Sequence, residues 1–321
     1  MLPALSHPFS WPKLAVLCAG AIAALLLPKT GERSTAPLVW IGLVATAALV
    51  HLVELEALLL DASAALLLYA LLTREWPVRQ TLRTIAWLGC LEAVIVLAQA
   101  PHAARRLEMF GTLGNPDFAA GWLGVSVCLA LGEGLIGPAL LQLAALTVIG
   151  SFASILALGA ACLVAMPRRK LALFALAPLA IAASGRNLQS RIDGRFELSL
   201  TAAKHLLDAP LFGIGPVTAL FANQDHIHND FLERALEQGW PAALLLAALA
   251  GHALLRGRRT AAGAALASLC ARSLVDFPLA RPAELALFVT LIAACLRESK
   301  CTNSSSPSSS PPPLPLPSAT A

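Results

Sequence analysis

The segment Ser184–Pro241 reads SGRNLQSRIDGRFELSLTAAKHLLDAPLFGIGPVTALFANQDHIHNDFLERALEQGWP and is the longest interruption of an otherwise apolar chain. Apolar runs end at Ala183 before it and resume at Trp240. It brings arginine, histidine, carboxylate and other polar side chains together in one segment: Arg186, Arg191, Arg195, Lys204, His205, Asp225, His226, His228, Asn229, Asp230, Glu233 and Glu237. A long polar segment between membrane spans lies at the boundary between water and bilayer. We therefore expect the functional site in this segment, held in place by the rest of the chain.

Composition places the chain among integral membrane proteins. Of its 321 residues, 57% are hydrophobic and 13% charged, whereas soluble domains have roughly 45–50% apolar and about 25% charged residues. Apolar stretches of nearly 20 residues recur, and each is long enough to cross a hydrocarbon core of about 30 Å as a helix. These runs lack the two-residue alternation of barrel strands. The sequence therefore predicts an all-α membrane bundle of about 10–12 transmembrane helices.

Eleven spans and five regions are predicted. The spans lie near 12–28, 37–53, 55–72, 82–100, 117–132, 135–149, 152–166, 171–183, 240–255, 261–278 and 283–296. The regions are N-terminal transmembrane helices over 1–100, central ones over 101–183, an outward loop over 184–240, C-terminal transmembrane helices over 241–298 and a disordered Ser/Pro-rich tail over 299–321.

Basic residues predict the orientation of these spans. Clusters of Lys and Arg fall on alternate turns, and basic residues in short loops mark the cytoplasmic side. The loop 184–240 then faces outward and the tail lies in the cytoplasm. The net charge of +4 is small and comes mostly from loop arginines, so it indicates membrane orientation and not nucleic-acid binding.

Two helices are predicted inside the outward loop. The first begins near Asp193 and ends before Pro210, and its apolar residues are spaced for one face that lies on a bilayer surface. The second begins at Asp230, has Glu233 three residues on as a capping-box variant, and ends at Gly239. The apolar face of the first helix consists of Phe196, Leu200, Ala203 and Leu207.

Three stretches carry a resemblance to a known family. They are Asp208-Ala-Pro-Leu-Phe-Gly-Ile-Gly-Pro216 followed by His228-Asn-Asp-Phe-Leu-Glu233 and Glu237-Gln-Gly239; Gly111-Thr-Leu-Gly-Asn-Pro-Asp-Phe118; and Leu274-Val-Asp-Phe-Pro-Leu279. In this order, on a chain with many spans, they resemble the O-antigen ligase and O-antigen polymerase superfamily.

The resemblance implies a fold, an activity and a location. Such proteins are bundles in the bacterial inner membrane with one large periplasmic loop. They move a glycan from an undecaprenyl-pyrophosphate carrier to a hydroxyl of an acceptor, which is a lipid A core, a glycan or a protein. Lipopolysaccharide and other surface polysaccharides are their products. The resemblance implies no metal and no other cofactor, and it names membrane lipids but no nucleic acid as partners.

Arginines are the predicted ligands of the carrier's pyrophosphate, because a planar guanidinium matches phosphate oxygens. Arg195 matches the family's loop arginine, and Arg191 and Arg186 are predicted to assist it. Contact with anionic lipid headgroups is the alternative for those two. A Ser-Arg element common in the family is absent at Gly150-Ser-Phe-Ala-Ser154, so Arg106 or its neighbour Arg105 is the candidate for a second cation.

Histidines supply the predicted acid–base chemistry. His228 matches the family's histidine, and imidazole titrates near neutral pH, so it suits deprotonation of an acceptor hydroxyl or phosphate binding. His226, Asn229 and Glu237 are further candidates for substrate contact, with Glu237 expected to orient His228 or Arg195, or to pair with a nearby cation. The pair of histidines with flanking aspartates also allows a zinc site, for which no distant Cys or His pair completes the ligand set.

Two other functions are compatible with the sequence. A transporter or lipid-binding protein would use the intramembrane carboxylates Asp61, Glu92 and Glu133 as a path through the bilayer. A catalytically inactive relative would explain the missing Ser-Arg element. Asn115 and Asp117 are expected to cap the following span, and Asp276 to pair with Arg272 or Arg281.

Overall fold

The computed structural model describes residues 10–29, 35–51, 55–103, 109, 111–165, 188–208, 211–215, 217 and 226–304. Within these ranges the regular structure is helical, with a single isolated bridge between Lys29 and Arg74, which confirms the all-α prediction. The α-helices are α1 Ser10–Leu25, α2 Ala36–His51, α3 Leu55–Thr73, α4 Val78–Gln99, α5 Pro116–Gly132, α6 Ile136–Ile149, α7 Phe152–Ala165, α8 Leu188–Asp208, α9 Asp230–Gln238, α10 Trp240–Gly257, α11 Ala261–Ser273 and α12 Pro282–Ser304.

Helices occupy ten of the eleven predicted spans, and the remaining one, 171–183, lies outside the described residues. A short 3₁₀ helix, Ala100–His102, continues α4, and another, Pro278–Ala280, precedes α12. The last helix extends to Ser304, into the segment 299–321 that composition assigns to a disordered tail. Residues beyond 304 lie outside the described part of the chain.

Two helical stretches in the described part of the chain are long and apolar enough to cross a membrane, namely Val78–His102 and Trp240–Gly257. Four shorter apolar stretches accompany them, Ala15–Leu25, Leu58–Thr73, Pro116–Gly132 and Ile136–Ile149. On α4, large apolar side chains stay exposed along one side of the helix: Trp87, Leu88, Leu91 and Val94.

Helix α5 is the centre of the packed core. It packs against α4, α6, α7 and α11, and its residues from Ala119 to Leu131 are almost all buried. Its buried residues include Ala119, Ala120, Gly121, Gly124 and Ala130, and small residues let helix axes approach closely. Gly121 shows the consequence, because a methyl group there would overlap the guanidinium of Arg272 from α11.

A second, smaller core joins α8 to α9 and α10. Leu198, Ala202 and Leu206, four residues apart on α8, pack against Ala235 and Leu236 of α9. The α8 residues Phe196, Leu200 and Leu207 of the predicted stripe are exposed, whereas Ala203 is half-buried. Helix α8 therefore has two apolar faces, one packed on α9 and one directed outward.

The predicted start of α8 and the predicted cap of α9 need correction, whereas the predicted start of α9 at Asp230 is confirmed. Helix α8 begins at Leu188 and not near Asp193, which lies inside the helix. Helix α9 is capped by Asn229, whose Oδ1 accepts a hydrogen bond from Leu232 N at 3.1 Å. Asp230 is instead buried and accepts from Leu279 N at 3.0 Å, so the neighbouring asparagine supplies the cap that the sequence assigned to the aspartate.

Candidate functional site

A cavity of about 460 Å³ lies between α8, α7, the start of α5 and the residues that precede α9 and follow α11. Both residues predicted to act in catalysis, Arg195 and His228, line it. The full lining comprises Asp117, Ser151, Ala153, Leu156, Arg195, Phe196, Ser199, His228, Asn229, Leu274 and Val275.

Helix α8 supplies one wall of the cavity. Arg195 and Ser199 are four residues apart and therefore lie on the same face of the helix, with Phe196 beside them. The guanidinium of Arg195 donates from Nη1 to the carbonyl oxygen of Val275 at 2.8 Å. A guanidinium has five N–H donors, and among the described residues no carboxylate forms an ion pair with Arg195. The cation is thus held in place while donors remain for an anion.

The starts of α5 and α7 also line the cavity, through Asp117, Ser151 and Ala153. Asn115 caps α5 by accepting from Asp117 N at 2.8 Å, and Pro116 occupies the first helical position. Ser151, immediately before α7, donates from Oγ to Asp117 Oδ1 at 2.8 Å. The prediction that Asn115 caps this helix is therefore confirmed, and Asp117, in the first turn of α5, lines the cavity.

His228 is held in an unusual conformation at the end of the segment before α9. Its φ angle of 55° lies in the left-handed region, which costs a non-glycine residue about 1–2 kcal/mol. Its Nδ1 faces Asp276 Oδ1 at 3.5 Å, the long limit of a hydrogen bond. With Nδ1 directed at the carboxylate, Nε2 is the nitrogen available to a ligand.

Asp276 links His228 to a buried arginine. Arg272 Nη2 donates to Asp276 Oδ2 at 3.0 Å and to the carbonyl oxygen of Asp117 at 2.9 Å, and Nη1 pairs with Glu284. Burial opposes ionisation of Asp276, but the hydrogen bond from His228 and the charges of Arg272 and Arg195 outweigh it and hold the pKa of Asp276 well below its usual range. The imidazole therefore faces an ionised carboxylate.

The ring of Phe277 contacts both histidines. The His226 ring stacks on it with centroids 4.2 Å apart and an interplanar angle of 15°, and the His228 ring meets it at 5.0 Å and 60°. Phe118 contacts the same ring edge-on at 5.8 Å, and the guanidinium of Arg281 lies 5.5 Å from its centroid.

His226 belongs to a second pair of imidazole and carboxylate. Its Nδ1 lies 2.7 Å from Glu233 Oε1, and Glu233 Oε2 accepts from Ile227 N at 3.0 Å. His226 is not among the residues lining the cavity. Its side chain stacks on the same phenyl ring that His228 contacts.

Glu237, predicted to orient His228 or Arg195, lies elsewhere. Its Oε1 accepts from Val217 N at 3.2 Å, and it does not line the cavity. Burial, and then the neighbouring charge of Glu233, raise the pKa of Glu237 to about 8. The carboxylate beside His228 is that of Asp276.

The three carboxylates of the transport hypothesis have separate partners. Asp61 forms an ion pair with Arg234 and accepts from Gln238 Nε2 at 2.6 Å. Glu92 accepts from the backbone and hydroxyl of Thr112, and Glu133 pairs with Arg79 at 3.1 Å. Within the described part of the chain, the three carboxylates therefore share no partner and form no connected chain of polar groups.

The predicted cations are only partly described. Arg191 lies in α8, one turn before Arg195, but its side chain lies outside the described residues. Arg186 and Arg106 lie outside them altogether, as does Arg105. Asn229 both caps α9 and lines the cavity.

Sequence reasoning did not assign Asp276 to His228 or Ser151 to the cavity. Both residues stand in stretches that it singled out, Leu274–Leu279 and Gly150–Ser154, but the pairing of His228 with Asp276 spans 48 positions. Contacts over such distances have no local signal in a single sequence. The ring of Phe277 as a common neighbour of both histidines was missed for the same reason.

The histidine pair does not form a metal centre in the described part of the chain. His226 and His228 face different carboxylates. Among the described residues, no three His, Cys, Asp or Glu side chains are grouped so that they could hold a metal ion.

No protein-family model matches this chain. No curated protein sequence matches it either.

Proposed function

We propose that the chain is a multi-pass protein of the bacterial inner membrane that transfers a glycan from an undecaprenyl-pyrophosphate carrier to an acceptor hydroxyl, in the manner of an O-antigen ligase. The observation that carries the proposal is that Arg195 and His228, 33 positions apart, line one cavity. A cation for a diphosphate and a base for a hydroxyl are the two groups that this reaction needs. The acceptor is a lipid A core, a glycan or a protein.

The cavity suits an amphiphilic donor. Its polar groups include Arg195, His228 and Asp117, whereas Phe196, Leu156 and Leu274 line the same cavity with apolar side chains that are 68%, 45% and 56% exposed. A soluble protein seldom exposes large apolar side chains together. We place these three side chains against the lipid part of the carrier, with its phosphates at Arg195.

The reaction consists of one substitution at the anomeric carbon of the donor sugar. The acceptor oxygen attacks C1 while the bond between C1 and the diphosphate oxygen breaks, and the electron pair of that bond leaves with the diphosphate. The acceptor proton passes to Nε2 of His228 and from there to solvent. Asp276 fixes the tautomer and stabilises the imidazolium that forms, as a carboxylate does beside a general base. Arg195 stabilises the charge that develops on the leaving group.

Transfer in proteoliposomes tests the proposal. Purified protein with a lipid-linked glycan and acceptor should form product, and Arg195→Ala or His228→Ala should each lower the rate by at least about 100-fold. Arg195→Lys keeps the charge but loses the planar fork, so an intermediate rate is expected. Lys204→Ala is the matched control, because Lys204 is an exposed cation on the same helix and lies away from the cavity lining.

Two outcomes would contradict the proposal. Wild-type turnover in both Arg195→Ala and His228→Ala would show that this cavity is not the active site. Binding of the carrier without transfer, across several acceptors, would indicate the inactive relative that the missing Ser-Arg element suggests. The transport alternative predicts ion or substrate flux in vesicles that depends on Asp61, and the separate partners of the three carboxylates do not favour it.

A further inference from the structure

We propose that Phe277 is a positioning residue for His228, and that the His226–Glu233 pair acts on His228 through the ring of Phe277. The proposal rests on the proposed transfer reaction, since it assigns residues that orient its base. The observations behind it are the ring contacts of Phe277 with His226 and His228, to which neither the sequence nor the resemblance gives a role.

The phenyl ring lies between two similar pairs. In each pair the Nδ1 atom of a histidine faces a carboxylate, Glu233 for His226 and Asp276 for His228. In each pair the second carboxylate oxygen accepts another hydrogen bond, from Ile227 N or from Arg272. Both imidazoles contact Phe277, one stacked and one at 60°.

Phe277 lies in a segment whose neighbouring residues are hydrogen-bonded to two different helices. Asp276 immediately before it is bound by Arg272 of α11. Two residues after it, the backbone of Leu279 donates to Asp230 at 3.0 Å and accepts from Arg234 at 3.2 Å, both on α9. The ring is therefore a rigid surface, and flat stacking fixes the plane of a ring more closely than an aliphatic contact does.

His228 needs such a surface. Its backbone is in the left-handed region and its hydrogen bond to Asp276 is long at 3.5 Å, so neither fixes the direction of Nε2 closely. Contact with Phe277 at 5.0 Å supplies the missing constraint. His226, tied to Glu233 at 2.7 Å and stacked on Phe277, in turn holds the phenyl ring.

Substitution at Phe277 tests the positioning role. Phe277→Leu keeps an apolar side chain but removes the flat ring, and the transfer rate constant kcat should fall by about 100-fold with KM near the wild-type value, as expected when a reacting group is misplaced by about 1 Å. Phe277→Tyr keeps the ring and should restore most of kcat. Phe118→Leu is the matched control, because Phe118 packs edge-on against Phe277, whereas the ring contacts of both histidines within the described part of the chain are with Phe277, and kcat should stay close to wild type.

A double substitution tests the route through the ring. His226→Asn alone should lower kcat less than Phe277→Leu does. Added to Phe277→Leu, it should lower kcat no further, because its effect passes through the ring that is already lost. Independent, multiplicative losses would overturn this part of the proposal, and equal losses in Phe118→Leu and Phe277→Leu would overturn the positioning role.

A spectroscopic readout separates this proposal from the proposed function. In protein labelled with ¹³C-histidine, ring protons of His226 that lie over Phe277 should resonate upfield, and Phe277→Leu should abolish that shift. The His228 signal should also move, while Phe118→Leu leaves both in place. If the wild-type protein transfers no glycan, the transfer reaction is wrong but this measurement still decides the geometry. If Phe277→Leu moves neither histidine signal, the positioning role is wrong whether or not transfer occurs.

Discussion

Arg195 and Arg272 both act on the carboxylate of Asp276, and they are held in opposite ways. Arg272 is 1% exposed and its guanidinium is bound by Asp276, Glu284 and the backbone of Asp117. Arg195 is half-buried on a cavity wall, and its guanidinium donates a hydrogen bond to the backbone carbonyl of Val275. A buried arginine whose charge is balanced holds a fold together, whereas an arginine with open donors on a cavity is suited to bind an anion.

The largest effect expected from this comparison is on stability. Arg272→Met removes the cation and leaves Asp276 and Glu284 without their shared partner, which should lower the free energy of unfolding by about 3–5 kcal/mol. Arg195→Met, the same change on the cavity wall, should cost less than about 1 kcal/mol. Denaturant or thermal unfolding of both variants in one detergent measures the difference.

For binding of a diphosphate lipid, we expect the larger effect from Arg195→Met and the smaller one from Arg272→Met. Arg195→Met should remain folded and lose affinity for a diphosphate lipid, because the guanidinium of Arg195 donates to the backbone carbonyl of Val275 and forms no ion pair with a carboxylate among the described residues. Equal destabilisation by the two substitutions would show that Arg195 is also structural, and the contrast between them would disappear.

The sequence predicted the helices of the bundle better than the partners within the site. Trp240-Pro241 and Asn115-Pro116 mark helix starts that the structure shows, because capping and proline preferences act over a few residues. The start of α8 was placed near Asp193 instead of Leu188, since several residues there are acceptable caps and neighbouring polar residues give no strong boundary.

Tertiary pairing explains what the sequence could not predict in the site. Arg195 and His228 were proposed from the motifs, and the structure places both on one cavity. The carboxylate assigned to orient them was Glu237, whereas Asp276 faces His228. Glu237 is close to His228 along the chain and on the next helix, but α9 turns its side chain towards Val217. Which carboxylate meets the imidazole is decided by how α9 packs against the segment that follows α11.

A smaller effect, with a definite sign, is expected from Glu237. Burial and Glu233 raise its pKa from 4.5 to about 8, so the folded protein keeps a proton that the unfolded chain has released. Stability should therefore fall as the pH rises between about 4.5 and 8, with a slope of at most about 1.4 kcal/mol per pH unit from this group.

Glu237→Gln should flatten that slope, because an amide does not titrate. Unfolding midpoints measured from pH 5 to 8 in the wild type and the variant give the comparison. Glu197→Gln, at an exposed carboxylate of α8, is the control and should leave the slope in place. Equal slopes in the wild type and Glu237→Gln would contradict the assignment of a raised pKa to Glu237.

The smallest effect on stability is expected at Asn229, which has both a structural role and a place in the cavity wall. Its Oδ1 caps α9 through Leu232 N, and the same side chain lines the cavity with Arg195 and His228. Asn229→Ala should cost about 1 kcal/mol of stability, the usual value of a lost N-cap. Asn229→Asp keeps a capping oxygen and should retain wild-type stability, measured by the same unfolding experiment.

The two substitutions at Asn229 should separate structure from binding. A carboxylate at position 229 places a negative charge on the wall that is proposed to take a diphosphate, so Asn229→Asp should weaken binding of the lipid-linked diphosphate although the helix is still capped. Asn229→Ser keeps the cap without the charge and should bind nearly as the wild type does. If Asn229→Asp bound the diphosphate as tightly as Asn229→Ser, the anion would lie elsewhere, and Arg195 would lose its assigned role with it.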